Sequence, residues 1–396
     1  MSEWQEFLIE DLADFCNAKR VPLSSMQRQQ LQGSYPYYGA SGIVDYVNDY
    51  IFEGSHVLIS EDGENLKSRN TPIAFEASGK FWVNNHAHIL KAKEQHLTKI
   101  LIHYFAQLDL SPYLTGAVQP KLNKATLSKI PLYLPSSIAE QKAIASVLSS
   151  LDDKIDLLHR QNKTLEAISE TLFRQWFIEE AKEDWEEVPL SEVAVIQNGY
   201  AFSSKDYVEK TVNEYEVLKM GHIDKNATLK LNPKRDYVPR KPELKRFVLN
   251  YNDIVMPMTD MKDNVVILGV PALVDANDKY VLNQRVARIY LKEDSKLSSI
   301  YYLFLQLKDP DFIARLQSTA NSGVQVNLST QAIKDCPIVI PSLEKQAEHR
   351  NTITGFYEQI SNNRKQIQTL ENLRDTLLPK LMSGEVRVQY QTKEVA

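Results

Sequence analysis

Ile130-Pro131-Leu132-Tyr133-Leu134-Pro135-Ser136 and Cys336-Pro337-Ile338-Val339-Ile340-Pro341-Ser342 are two copies of one phrase. Each runs on through a polar stretch, Glu140-Gln141 in the first and Lys345-Gln346 in the second, into roughly 40 residues of helical pattern. Within those stretches Gln161, Thr164-Leu165-Glu166 and Thr171-Leu172 return as Gln366, Thr369-Leu370-Glu371 and Thr376-Leu377, always 205 positions later. An internal duplication fixes the architecture first: two similar halves, each ending in one long helix.

In the first helix the positions that alternate by four and three are Ile144, Leu148, Leu151, Ile155, Leu158, Asn162, Leu165, Ser169, Leu172 and Trp176. The second offers His349, Ile353, Phe356, Ile360, Asn363, Ile367, Leu370, Arg374, Leu377 and Leu381. This alternation makes a narrow apolar seam, the pattern of helices that wind round one another. No proline interrupts either stretch before Pro379, and Gly384 closes the second. At about 1.5 Å per residue, each is a rod on the order of 60 Å long. Each seam has an asparagine near its middle, Asn162 and Asn363, where a polar residue fixes register at some cost in stability. A homodimer can use the same seams, but two seams tethered in one chain meet at high effective concentration. Antiparallel pairing within the chain is therefore expected.

With 396 residues, 43% hydrophobic and 24% charged, the chain has the balance of an ordinary globular protein with two or three cores. No apolar run approaches the ~20 residues that span a bilayer, and Met1-Ser2-Glu3-Trp4 lacks signal-peptide form. Two isolated cysteines, Cys16 and Cys336, make neither a disulfide framework nor a zinc site, so a reducing, cytoplasmic setting is expected. A net charge of −5 gives no global basic field, and any nucleic-acid contact must come from local patches.

The heads echo each other more faintly. Trp4, Leu8, Ile9 and Leu12 are matched by Trp185, Val188, Leu190 and Val193, with the tryptophans 181 positions apart, so the second head holds 24 more residues than the first. Buried strands are expected at His56–Ile59 and Asp253–Met256, and a second pair at Phe81–Asn85 and Tyr280–Asn283. Apolar helical patterns follow at Ile100–Phe105 and Ile300–Leu305. Gly116–Gln119 and Gly323–Gln325 read as polar loops before the terminal strands, and Glu179–Asp184 as a solvated acidic junction. The expected segments are a first head at 1–135, a first helix at 136–180, a second head at 181–341, a second helix at 342–383 and a tail at 384–396.

Lys225–Arg246 carries eight bases against Asp236 and Glu243, broken by Pro233, Pro239 and Pro242, and reads as an exposed loop suited to a phosphate backbone. Lys234, Arg235, Arg240 and Lys241 are its candidate contacts. Lys67, Ser68 and Arg69 follow a polar loop after the first buried strand, and Thr259, Asp260 and Lys262 stand at the matching place in the second head. Taken alone, these loops and Gln119, Lys121 and Gln325 read as solvated surface; in a DNA-binding chain the two matched loops would be the base-reading candidates and Gln119, Lys121 and Gln325 further DNA contacts, because amides and guanidinium groups match base edges. Tyr37, Tyr38 and Tyr200 are aromatic candidates, although aromatics beside glycines serve equally as packing. His86 and His88 share one strand face but lack a third ligand nearby. Glycine-rich phosphate loops are absent. Asn232-Pro233-Lys234 lacks the aromatic ending of an adenine methyltransferase motif. No catalytic constellation emerges.

Four stretches carry a family resemblance: Tyr35-Pro36-Tyr37-Tyr38-Gly39-Ala40-Ser41-Gly42, Trp82-Val83-Asn84-Asn85-His86-Ala87-His88, Asn198-Gly199-Tyr200-Ala201-Phe202-Ser203-Ser204, and Pro135–Leu151 with Glu140-Gln141-Lys142. In order and in double occurrence they resemble the specificity subunit of type I restriction–modification systems, over essentially the whole chain. The resemblance implies an α+β fold: two mixed α/β target recognition domains in pseudo-twofold arrangement, joined by an antiparallel coiled coil. It implies a non-catalytic chain that reads one half of a split double-stranded DNA target with each head. The implied partners are two methyltransferase subunits and restriction subunits, which supply the S-adenosylmethionine, ATP and Mg chemistry for adenine methylation and cleavage. Outward-facing Arg160, Arg174 and Arg364 are docking candidates on this view. The rival reading is a two-headed coiled-coil scaffold that binds proteins without DNA specificity.

Overall fold

The computed structural model describes residues 3–116, 119–182, 185–211, 213–230, 233–261, 265–322 and 325–389. Expectations placed on Ala117, Val118, Glu183, Asp184, Asn232, Lys262, Asp263, Asn264, Gly323 and Val324 lie outside the described residues. The chain folds into two units, Met1–Leu158 with Gln366–Ala396, and His159–Lys365. Each unit holds one head and about half of each long helix.

The duplicated phrase forms the strand that closes each head. Pro131–Pro135 pairs antiparallel with the opening strand Trp4–Leu8, and Pro337–Ile340 pairs antiparallel with Glu186–Pro189. A helix then starts almost at once, and the reason is local. Ser137 and Ser342 cap the new helices, accepting from Glu140 N at 3.4 Å and Lys345 N at 3.3 Å. The glutamines next in line reach back: Gln141 Nε2 donates to the Pro135 carbonyl at 2.8 Å and Gln346 Nε2 to that of Pro341 at 2.9 Å. Their other ends tie the helix to its head, Gln141 Oε1 to His96 at 3.0 Å and Gln346 Oε1 to Ser298 N at 2.8 Å. The repeated glutamine is thus a bracket between strand, helix and head.

Inside each head the same topology recurs. The first has a four-stranded antiparallel sheet in the order Ala13–Phe15, Ala87–Ala92, His56–Ser60, Ala74–Ala77. The second repeats it with Ala194–Asn198, Val286–Leu291, Ile254–Pro257 and Ala272–Leu273. The central strands His56–Ser60 and Ile254–Pro257 are buried throughout, which explains their continuous apolar character. A further sheet in each head contains one parallel pairing, Tyr37 with Trp82 in the first and Val217 with Val281 in the second. The expected helices form at Gln95–Gln107 and Ile300–Lys308 and pack their apolar faces into the cores.

The long helices run unbroken over Ile138–Arg174 and Leu343–Ser383, and in both units they lie antiparallel, residue numbers rising along one as they fall along the other. In the first unit Ile144 and Leu148 meet Leu378 and Leu381, while Ile155 and Leu158 meet Ile367 and the half-buried Leu370. In the second unit Asn363 Nδ2 donates to Asn162 Oδ1 at 2.8 Å, both residues buried, and Trp176 stacks on His349 at 3.8 Å. Ile353, Ile360 and Leu165 join the second head's core. Leu151, Leu172, Phe356 and Leu377 are only half-buried, and the neighbouring Phe173, Tyr357 and Leu378 are deeper. A straight helix drifts about 20° per heptad from a strict 3.5-residue repeat. The second head also draws Tyr357 and Phe173 toward itself, where they contact Tyr301 at 4.7 Å and Tyr302 at 5.4 Å. Gly384 ends the second helix at φ +75°, where an added Cβ would strike the Trp4 ring.

Candidate nucleic-acid interface

Three stretches cross at the same place in each head, held by the same backbone bonds. In the first head Glu61 N donates to the His86 carbonyl at 2.9 Å, and Leu122 N to the Glu61 carbonyl at 2.8 Å. In the second, Met258 N donates to the Arg285 carbonyl at 2.9 Å, and Leu328 N to the Met258 carbonyl at 2.8 Å. The middle stretch is an asparagine-anchored turn in both. His86 N donates to Asn84 Oδ1 at 2.8 Å and Arg285 N to Asn283 Oδ1 at 3.2 Å, an Asx turn twice over. The third stretch leads into a capped short helix each time, with Asn123 accepting from Thr126 N and Ser329 from Ala332 N.

This matching aligns residues that sequence spacing alone left apart. Asn84 stands where Asn283 does and Gln119 where Gln325 does. Glu61, Asn85, His86 and Lys121 are replaced by Met258, Gln284, Arg285 and Asn327. Asn85, His86, Gln284 and Arg285 are exposed. They were missed because they look like turn residues, although the recurring asparagine before them was a readable signal.

In the first head the frame is strongly charged. Glu61 is ion-paired to Arg20 at 2.5 Å and Lys121 at 3.3 Å, and His86 meets Asp62 at 2.9 Å. Burial alone would raise the Glu61 carboxyl, but Arg20, His88 and Lys121 outweigh it and hold the group below its ordinary value. His88 is 1% exposed and forms part of the fold: Nε2 donates to the Leu122 carbonyl at 2.6 Å, and Nδ1 accepts from Asn17 at 2.8 Å. Burial pushes His88 below its ordinary 6.5, and His56 likewise. The unfolded chain therefore takes up protons near pH 6.5 that the folded first head refuses, so stability is complete above that pH and lost below it. Urea unfolding at pH 7.5 and 5.5 is expected to show this loss, and His88→Gln to make the dependence shallower.

Several expected contacts have other employment. Tyr37 is 1% exposed, its hydroxyl accepting from Leu23 N at 2.9 Å, and so presents no surface to a ligand. Tyr38 packs on Phe75 and Phe81, and Tyr200 on Phe202 and Phe247. The Arg69 guanidinium closes the end of the Gln95–Gln107 helix, donating to the carbonyls of Ala106 at 2.8 Å and Leu108, where the helix dipole favours a cation. Thr259 and Asp260 are both 7% exposed. Asp260 Oδ2 accepts from the backbone N–H of Val266, Ile267 and Leu268 at 2.7, 2.6 and 3.1 Å, which makes it the anchor of its loop. Lys67, Ser68, Gln119 and Gln325 are exposed, and Gln325 Oε1 accepts from Arg285 Nη1 at 2.9 Å.

The basic segment is likewise more ordered than a free loop. Leu244 and Phe247 are buried and pin the turn Pro242–Phe247 to the second head. Arg240 pairs with Asp278 and covers the Tyr215 ring at 4.2 Å, and Arg235 pairs with Glu216 at 3.3 Å. Carboxylates of the same head pair with these two arginines, and Lys234, Lys241 and Lys245 are exposed. Tyr38 to Glu61 spans 23 positions and the matching Leu218 to Met258 spans 40, so 17 of the second head's extra residues fall here. Within the basic segment the strand Tyr237–Pro239 matches Gly42–Val47 of the first head, and the stretches on either side of it carry the extra length.

Residues 1–167 and 182–372 match the family model described as the type I restriction modification DNA specificity domain, once per half. The chain belongs to this family of specificity subunits. The MjaVIII specificity subunit of Methanocaldococcus jannaschii is 25% identical over 98% of this chain and 94% of its own length. A putative type I specificity subunit of Haemophilus influenzae, S.HindORF215P, is 39% identical, over 38% of this chain and 37% of its own. The crystal structure of the type I S subunit of M. genitalium has the same fold, with TM-score 0.58 and 15% identity over 99% of this chain and 97% of that one. Among the described residues no helix is long and apolar enough to cross a membrane.

Proposed function

We propose that each head of this specificity subunit reads one half of a bipartite double-stranded DNA target, with the paired helices fixing the interval between the halves. One observation carries this reading: the two heads repeat a single backbone frame, held by the same hydrogen bonds, and differ in the side chains mounted on it. Asn85, His86 and Lys121 in the first head face one half-site, and Gln284, Arg285 and Asn327 the other. Different donors and acceptors on one frame mean different base preferences. The chain itself is the non-catalytic reader. Two methyltransferase subunits dock on the helices and bring S-adenosylmethionine, and restriction subunits bring ATP and Mg-dependent cleavage. The complex works in the cytoplasm.

Binding measured at graded salt on a randomised DNA library tests the reading. DNA recognition predicts a steep fall with salt and a split consensus. A protein scaffold yields neither, and that result would replace this reading with the two-headed scaffold. Reversal of Lys234, Lys241 and Lys245 to glutamate is expected to weaken binding to all sequences alike, because phosphate contacts carry no base information. Each lost phosphate contact lowers the log–log salt slope by about 0.9. An unchanged slope would take the basic segment out of the interface.

A further inference from the structure

The buried contact between Asn162 and Asn363 joins two residues that do not correspond in the repeat. With the helices repeating at 205 positions, Asn363 corresponds to Leu158 and Asn162 to Ile367. The same holds for the ion pair between Asp152 and Arg374, 3.2 Å apart, whose counterparts are Tyr357 and Ser169. The apolar seam positions behave differently. Leu148 and Ile353, Ile155 and Ile360, and Leu165 and Leu370 stand at corresponding places and are alike in kind, so these positions pair a helix with its own copy about as well as with its partner.

We propose that these off-register polar pairs make the coil select unlike helices, so that the surface offered by the first long helix accepts the second long helix and rejects a copy of the first. If a second copy of the first helix took the partner's place, Leu158 would stand where Asn363 stands. Asn162 Oδ1 would then lose its donor inside the seam, twice per symmetric pair. Asp152 would meet Ser169 in place of a guanidinium. Two copies of the second helix would set Asn363 against Ile367 and Arg374 against Tyr357. Asn363 Oδ1 also accepts from Gln359 Nε2 at 2.8 Å, which holds the amide in the orientation that donates to Asn162. A buried polar group without a partner costs more than the bond it would have made contributes, so the penalty falls on the like pairs. Together with the proposed DNA reading, this keeps the target asymmetric, each coil carrying one copy of each head; the selection itself involves no DNA.

The test uses the whole chain, folded first and then nicked at a protease site inserted after Lys182, which leaves one head and one helix on each side of the cut. Two nicked preparations of different isotopic mass are mixed, diluted and re-concentrated, and the pairs are counted by native mass spectrometry. The ratio of unlike to like pairs is expected to exceed its random value at least about tenfold, the factor that one unsatisfied buried polar group sets. Asn162→Ile combined with Asn363→Leu installs the residues found at the corresponding places. This variant is expected to stay folded and to move toward random proportions of like and unlike pairs. Asn363→Leu alone is expected to weaken the unlike pair more than the combined change does, the mark of a coupled pair. Random pairing by the parent protein overturns the proposal. So does undiminished selectivity in the doubly substituted protein.

Discussion

Asp260→Ala is expected to destabilise the second head by about 3 kcal/mol, lowering its melting temperature by on the order of 10 °C. Asp260 is 7% exposed, and one of its oxygens receives three backbone N–H groups in succession from Val266, Ile267 and Leu268. The other oxygen accepts from Met261 N at 2.8 Å. Hydrogen bonds to a charged acceptor stabilise by about 1.5–3 kcal/mol each, and orphaned donors under the loop add their own desolvation cost. Asn in place of Asp keeps the acceptor oxygen and loses the charge, so Asp260→Asn should fall between the two. Calorimetry and hydrogen exchange at Val266–Leu268 are the measurements. Unchanged protection at those three amides in the alanine variant would show that the carboxylate does not organise the loop. The first head holds the matching loop differently, with Gly63 at φ +110° donating to the Pro120 carbonyl and Arg69 closing the helix beside it.

That contrast shows what the sequence discloses and what it withholds. The seam, the two long helices and the buried central strands were legible because periodicity and continuous apolar runs report burial directly. The asparagines near mid-seam were legible as register devices, and they meet each other. That Asp260 is buried, and that Arg69, although exposed, is bound to backbone carbonyls, was illegible for one shared reason: a charged residue in a polar loop looks the same whether it faces solvent or collects backbone groups. The deciding partners, the Val266–Leu268 amides and the carbonyls of Ala106 and Leu108, carry no side-chain signature at all. Tyr37 was ambiguous for a similar reason, since the Leu23 backbone N–H that donates to its hydroxyl is anonymous in the sequence. The frame residues Asn85, His86, Gln284 and Arg285 stayed hidden because the second head is longer between the matching points. Only the backbone bonds from Glu61 and Met258 restore the correspondence.

Arg285 bears the largest expected effect on recognition. Its side chain is exposed at the frame, its backbone is fixed by Asn283, and Gln325 Oε1 holds Nη1 at 2.9 Å. A guanidinium steadied at one nitrogen presents its remaining donors as a fork. The edge that accepts such a fork in the major groove is guanine, through O6 and N7. Under the proposed reading, Arg285→Ala should cost about 1–3 kcal/mol, a loss of roughly 5- to 150-fold in affinity for the preferred sequence. The loss should fall on one base pair of one half-site, with the other half-site unaffected. Arg285→Lys keeps the charge without the planar fork and should lose nearly as much specificity while retaining more affinity for random DNA. Gln325→Ala should act through Arg285, relaxing the same base pair by less. Library selection on each variant reads all three. If Arg285→Ala instead lowers affinity evenly across sequences, the side chain holds a phosphate, and base reading in this head must rest on Gln284, Gln325 or Asn327.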